Sequence, residues 1–138
     1  MADHPHKPAA RPLSPFVTVF RWPITMATSI VHRATGVALA GGTILIAWWL
    51  FAAANGPEAY NQFAGLIETL PGQIVLFGFV WSLAYHLVNG IRHLAWDLGY
   101  GFEIRTASVT GVVVLVVSVV LATGAFALAW LGQGGYYR

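Results

Sequence analysis

The chain has 138 residues, of which 57% are hydrophobic and only 9% are charged, and its formal net charge is +2. A soluble domain averages about 25% charged residues, so the composition excludes a water-soluble globular domain and indicates a polytopic membrane protein. Because the sequence has no cysteine, disulfides and thiolate ligands for a metal are also excluded.

Residues 1–22 hold four prolines among polar and basic residues and predict an extended N-terminal arm. Residues 23–138 form the predicted transmembrane domain, with spans at roughly residues 27–53, 71–96 and 107–131. Each span exceeds the ~20 residues that a helix needs to cross a ~30 Å hydrocarbon core. The sequence therefore predicts an all-α membrane protein with three transmembrane helices.

The basic residues predict the orientation of these helices. Most of them lie before the first span or near the connection between the second and third: Lys7, Arg11, Arg21, Arg33, Arg92 and Arg105. The connection between the first and second spans has neither lysine nor arginine, and Arg138 is the single exception at the other end. By the positive-inside rule, the N-terminus is expected on the cytoplasmic side and the C-terminus outside.

Two clusters of polar and ionisable residues interrupt the apolar runs. The first opens the first span and the second occupies the back half of the second span: Ser29, His32 and Arg33, then His86, Arg92, His93 and Asp97. An ionisable residue within a span costs roughly 2.5–3.5 kcal/mol on insertion scales, and it usually marks a ligand, a proton path or a cofactor. Both clusters lie near the inner face, and they meet only if the two helices pack side by side and antiparallel.

His86 is expected about ten residues from the inner end of its helix, roughly 15 Å deep. A neutral imidazole at that depth is a suitable axial ligand for haem iron. Gly90, one turn away, would let a flat macrocycle approach the helix, while His93 is expected near the propionate edge or near water. The alternative is a buried histidine that hydrogen-bonds to another helix.

Ser29 and Arg33 offer hydrogen-bond donors to an anion or a carbonyl, and they suit haem propionates or a quinone carbonyl. The alternative for Arg33 is an arginine that snorkels to the interface and sets the topology. The third span has no ionisable residue. It carries a face of small residues that predicts close helix packing: Ala107, Gly111, Ser118, Ala122, Ala125 and Ala129.

Three segments together resemble the cytochrome b subunit of succinate dehydrogenase, one of the two three-helix membrane anchors of complex II. They are residues 11–15 (Arg-Pro-Leu-Ser-Pro), residues 29–36 (Ser-Ile-Val-His-Arg-Ala-Thr-Gly) and residues 86–97, which begin with His86 and end with Asp97. The resemblance covers the arm, both polar clusters and the three-span layout.

The resemblance implies a role for each of these residues. His86 would be one axial ligand of a b-type haem, and a second anchor subunit would supply the other. His32 and Arg33 would lie near the haem propionates. Ser29 and Arg33 would line a ubiquinone site at the inner face, and Asp97 would be a candidate for proton uptake.

The implied function is to pass electrons from succinate oxidation to ubiquinone, in the tricarboxylic acid cycle and the respiratory chain. The implied partners are a second anchor, an iron–sulfur subunit, a flavoprotein subunit and membrane lipid, with no nucleic acid. Alone, this chain would not oxidise succinate. The expected location is a bacterial inner membrane, with the mitochondrial inner membrane as the second choice.

Two alternatives stay open, the anchor of a fumarate reductase and a structural membrane subunit with no redox role. A small transporter is disfavoured because the sequence has no internal repeat.

Overall fold

The computed structural model describes residues 21–136, with side chains through residue 132, and this range forms four α-helices. They are α1 (Ile24–Ala54), α2 (Pro57–Ile67), α3 (Leu70–Asp97) and α4 (Ile104–Tyr136). Three of them, α1, α3 and the part of α4 up to Gly132, are long and apolar enough to cross a membrane. The predicted all-α fold with three transmembrane helices is therefore confirmed, and each helix extends a few residues beyond its predicted bounds.

Most of the predicted N-terminal arm, residues 1–20, lies outside the described residues, and so do Tyr137 and Arg138. Arg21 and Trp22, which are described, are exposed and not helical. The boundary between arm and membrane domain and the orientation of the termini therefore stay predictions.

Polar caps and glycines set the ends of α3. The Thr69 hydroxyl accepts a hydrogen bond from the backbone N–H of Gly72 at 3.2 Å and so satisfies one N–H of the first turn. At the other end, Gly99 and Gly101 have φ values of 88° and 82°, which side chains other than glycine rarely adopt. The Trp96 indole N–H donates to the Gly101 carbonyl at 3.2 Å, which ties this tight turn back to α3.

The connection between α1 and α3 contains α2, a helix that the sequence analysis did not predict. Pro57 begins it and Glu58 follows in the first turn, a pattern that favours a helix start. Phe63 is buried, and its ring packs edge-on against Trp48 of α1 with centroids 5.0 Å apart. This contact fixes α2 against the end of α1.

The three long helices run antiparallel in sequence order. The start of α1 contacts the back half of α3, where Thr28 lies beside Arg92. Further along α1, Gly42 lies against Phe79 in the front half of α3. The starts of α1 and α4 and the end of α3 therefore share one end of the bundle, which we call the proximal end. The sequence expectation that the two polar clusters lie at the same end depends on this arrangement.

The small-residue face predicted for the third span packs inside the chain over most of its length. Four residues of this face are buried: Ala107, Gly111, Ser118 and Ala122. Val114, which lies between them, is buried as well. Ala125 and Ala129 are exposed in this chain, so for these two residues close packing stays a prediction, with a partner subunit as the candidate contact. Large apolar side chains cover much of the outer surface of α4, which suits contact with lipid or another membrane subunit.

Candidate functional site

Three imidazoles meet between α1 and α3 near the proximal end. His32 stacks on His86 with ring centroids 3.9 Å apart and an interplanar angle of 12°. Its centroid lies 5.0 Å from that of His93, whose ring in turn packs edge-on against Trp96. The expectation that the two polar clusters meet through antiparallel packing is thus confirmed.

His86 also contacts two residues of α1 on its edge. Its Nδ1 lies 3.3 Å from the Thr35 hydroxyl, which is buried and also donates to the His32 carbonyl at 2.9 Å. The backbone of Gly36 approaches the same ring so closely that an added Cβ would lie 3.2 Å from His86 Cε1. Within residues 21–132, no hydrogen bond involves Nε2 of His86.

Ser29 and Arg33 lie together on an exposed part of α1, one turn apart. The Arg33 Nε donates to the Ser29 carbonyl at 3.4 Å. Within residues 21–132, the other nitrogens of this guanidinium make no hydrogen bond. Both residues flank His32 in the sequence, but they face outward, whereas His32 is half-buried.

The remaining predicted residues lie on α3. Gly90 has no atom of the described chain within 4 Å of an added Cβ, so the space beside it is open. Asp97 is the last residue of the helix and is exposed. The structure thus brings the three histidines together and leaves Ser29, Arg33 and Asp97 at the surface of the proximal end.

A second polar network, which the sequence analysis did not identify, lies at the centre of the bundle around Arg92. The guanidinium is 8% exposed and donates to the Thr110 hydroxyl at 2.9 Å and to the Ala107 carbonyl at 2.6 Å, both on α4. It also reaches Thr28 of α1 at 3.5 Å and Asn89 of α3 at 3.3 Å. Arg92 therefore joins all three long helices.

Aromatic residues complete this network. The Tyr85 hydroxyl donates to the Thr28 carbonyl at 2.8 Å, and the guanidinium carbon of Arg92 lies 4.1 Å from the centroid of the Trp96 ring. All hydrogen-bond acceptors of Arg92 in the described part of the chain are uncharged. The sequence analysis had placed Arg92 with the topology-setting basic residues near a connection, but its charged group is inside the bundle.

The helical spacing of polar and aromatic residues along α3 is the sequence signal for this network. Tyr85, Asn89, Arg92 and Trp96 follow one another at helical spacing along one stripe of α3. Asn89 is completely buried, and its side-chain oxygen accepts from Arg92 within this network. Thr28 and Thr35 gave no signal, because single threonines are unremarkable in an apolar helix.

An apolar groove of about 600 Å³ lies between α1 and α3, one turn beyond the histidines on the side away from the proximal end. Small residues form much of its wall: Ala38, Gly41, Gly42 and Gly78. Trp81 and Ser82 also line it, and the Trp81 Nε1 is buried without a hydrogen-bond partner in residues 21–132.

No three His, Cys, Asp or Glu side chains of the described range converge on a point that could hold a bare metal ion. A haem needs only one or two protein ligands, because the porphyrin supplies the other four. One buried nitrogen of the imidazole cluster, His32 Nδ1, has no partner among the described atoms. The donor set around His86 thus fits a haem better than a bare ion.

Comparison with known proteins agrees with the resemblance described for the sequence. The family described as succinate dehydrogenase/fumarate reductase transmembrane subunit matches residues 7–125. The chain is 46% identical over 112 residues to the succinate dehydrogenase cytochrome b556 subunit of Paracoccus denitrificans, covering 81% of this chain and 86% of that protein. It is 42% identical over 123 residues to the mitochondrial cytochrome b560 subunit of Sus scrofa, covering 86% of this chain and 71% of that protein.

Proposed function

The chain belongs to the succinate dehydrogenase/fumarate reductase transmembrane subunit family, and on this premise we propose that it binds haem b and helps to form a ubiquinone-reducing site. In that role it anchors the succinate-oxidising subunits of complex II to the membrane. A second anchor subunit, an iron–sulfur subunit and a flavoprotein subunit complete the complex. The flavin and iron–sulfur chemistry belongs to those chains, so this subunit alone does not oxidise succinate.

The observation that carries the proposal is the environment of His86. This imidazole sits within an apolar span, its Nδ1 contacts Thr35, and no described residue hydrogen-bonds to Nε2. An imidazole with one nitrogen fixed by the protein and the other unused is the usual arrangement of a metal-binding histidine. His86 would be one protein ligand of the haem iron, and the second anchor subunit would supply the other.

The neighbours of His86 suit the rest of a haem. The open space beside Gly90 lets a flat ring approach α3. His32, with a buried Nδ1 that lacks a partner in the described chain, and His93 offer hydrogen bonds to propionates, and Arg33 offers positive charge. When bound, the haem supplies a centre that accepts and releases one electron.

Ser29 and Arg33 are the residues that we assign to the quinone. Both are exposed at the proximal end, and most of the Arg33 donors remain available to an external ligand among the contacts described here. The Ser29 hydroxyl can donate to a quinone carbonyl, while the Arg33 charge stabilises the negative charge that develops on the oxygen during reduction. Asp97, at the exposed end of α3, can deliver protons from the aqueous side.

The proposal places the proximal end toward the cytoplasm of a bacterium, where the soluble subunits bind. The basic residues in the sequence support this orientation through the positive-inside rule. The relatives named above are subunits of succinate dehydrogenases, which favours succinate oxidation over the fumarate-reducing direction that the family description also includes.

The experiment that tests the function is purification of the complex from membranes with an affinity tag on this chain. We expect flavoprotein, iron–sulfur and second anchor subunits to copurify, and a reduced-minus-oxidised spectrum with the bands of a b-type haem. A complex with the same subunits but no haem bands would instead support the structural, non-redox alternative. Failure to recover succinate:quinone activity in the complex would contradict the proposed quinone site.

Replacement of Arg33 with leucine is expected to lower ubiquinone reduction with little effect on succinate oxidation by a soluble artificial acceptor. A hydrogen bond to a charged group is worth about 1.5–3 kcal/mol, which corresponds to roughly 10- to 150-fold in rate. Both activities are measured on the same membranes. Arg105→Leu is the matched control, because Arg105 is also an exposed arginine at the proximal end. An equal loss of both activities in Arg33→Leu would indicate a defect in assembly and contradict the assignment.

A further inference from the structure

We propose that Thr35 and Gly36 are positioning residues for His86: they fix the orientation of its imidazole and hold its proton on Nδ1, so that Nε2 is the nitrogen available to iron. This inference rests on the proposed role of His86 as a haem ligand and goes beyond it. Two residues of α1, which packs against α3, determine which nitrogen of His86 binds the iron.

The hydrogen bonds of Thr35 determine the direction of its contact with His86. A threonine hydroxyl has one hydrogen and two acceptor lone pairs. Thr35 donates that hydrogen to the His32 carbonyl at 2.9 Å, so toward His86 Nδ1, at 3.3 Å, it presents a lone pair. The Nδ1 must then carry the proton. Because Thr35 is only 3% exposed, water does not compete for this contact.

A neutral imidazole with its proton on Nδ1 has its lone pair on Nε2. The hydroxyl of Thr35 therefore selects the tautomer that a metal bound at Nε2 requires. A hydrogen bond of this kind on the second ring nitrogen also raises the basicity of the ligand.

Gly36 and His32 restrict the rotation of the same ring. A Cβ on Gly36 would lie 3.2 Å from His86 Cε1, so the ring would have to move by a few tenths of an ångström, and 3.7 Å from Nδ1. Glycine thus allows the ring edge to pack directly on the backbone of α1. The stacked ring of His32, 3.9 Å away, covers one face of the imidazole. Together these contacts leave the imidazole little freedom to turn about its side-chain bonds.

The chemical consequence is a more basic imidazole, which favours ferric over ferrous iron. Thr35→Val keeps the shape of the side chain but removes the acceptor for the Nδ1 proton. We expect the equilibrium to move about tenfold toward the ferrous form, which for a one-electron couple is a midpoint rise of about 59 mV. Changes in the residues that support a metal ligand typically alter metal affinity about 10- to 100-fold, so haem occupancy should also fall.

The test uses the purified complex carrying Thr35→Val, Thr35→Ser or Thr43→Val. Thr43 is the matched control because its hydroxyl also donates to a carbonyl three residues earlier, Ala40 at 2.6 Å, but it contacts no histidine. The readouts are haem content per complex, the midpoint potential from a redox titration and the EPR spectrum of the ferric haem. Thr35→Val should shift the potential and the spectrum or lose haem, whereas Thr35→Ser and Thr43→Val should resemble the wild type.

Several outcomes would overturn the inference. One is a Thr35→Val complex with wild-type haem content, potential and spectrum. Another is an equal change in Thr35→Ser and Thr35→Val, which would assign the effect to packing of the methyl group. Gly36→Ala adds an independent test, since the added methyl group should displace the ring and change the EPR spectrum. If His86→Leu retained haem, the proposed function itself would fail. If His86→Leu lost haem while Thr35→Val matched the wild type, only the inference about Thr35 would fail.

Discussion

Replacing His86 with leucine is expected to yield an assembled complex that lacks haem. Removal of supporting residues alone costs about 10- to 100-fold in metal affinity, so loss of the ligand itself should lower haem occupancy by more than about tenfold. The fold should tolerate the change, because the Thr35 hydroxyl keeps its bond to the His32 carbonyl and no buried donor loses its partner. The measurement is haem per flavin in the purified complex, from the reduced-minus-oxidised spectrum.

The informative control is His93→Leu. His93 lies in the same imidazole cluster, but we place it at the propionate edge rather than at the iron. We therefore expect His93→Leu to retain haem with an altered potential. Full haem occupancy in His86→Leu would remove the ligand assignment, and equal haem loss in both variants would show that the cluster acts only as a unit.

The second large effect is expected for Arg92→Met, which should destabilise the three-helix bundle. The substitution keeps much of the apolar stem but removes four hydrogen bonds, three of which join α3 to α1 or α4. It leaves the Ala107 carbonyl and the Asn89 amide without their charged donor inside the bundle. Each hydrogen bond to a charged group is worth about 1.5–3 kcal/mol, so a total loss of roughly 3 kcal/mol or more is expected even if much of the network relaxes.

The measurement is the thermal unfolding midpoint of the purified complex, together with the amount of this chain in membranes. Arg105→Met is the matched control, because Arg105 is exposed and the same substitution there removes a charge but no buried contact. Arg92→Lys should recover only part of the stability, since an ammonium group cannot reproduce the planar arrangement of the guanidinium donors. Equal midpoints for Arg92→Met and the wild type would show that the network contributes nothing to stability.

The sequence predicted the three spans and the meeting of the two polar clusters for clear physical reasons. Long apolar runs have few alternatives to membrane helices, and ionisable groups such as His32 and His86 must find polar partners inside a bilayer. Together with the tendency of consecutive elements to be neighbours in space, these constraints favoured the side-by-side packing of the first and second spans. The functional roles assigned to all of the site residues remain predictions: Ser29, His32, Arg33, His86, Gly90, His93 and Asp97.

Other features depended on contacts that the sequence does not display. Arg92 lies only five residues from the end of α3, where an arginine ordinarily reaches the interface, and only the positions of Thr28 and Thr110 explain why it points inward instead. The helix α2 was missed because its single buried anchor, Phe63, depends on Trp48 of another helix. Thr35 shows its role only when the direction of its hydrogen bond is known.

The network around Arg92 has a consequence for the order of biogenesis. Its donors and acceptors all belong to one polypeptide, and the last of them, Thr110, emerges from the ribosome soon after α3 is complete. The nascent chain therefore carries its own means of closing its three spans against one another once the third begins to enter the bilayer. Neighbouring subunits of the complex can then be added to a preassembled unit.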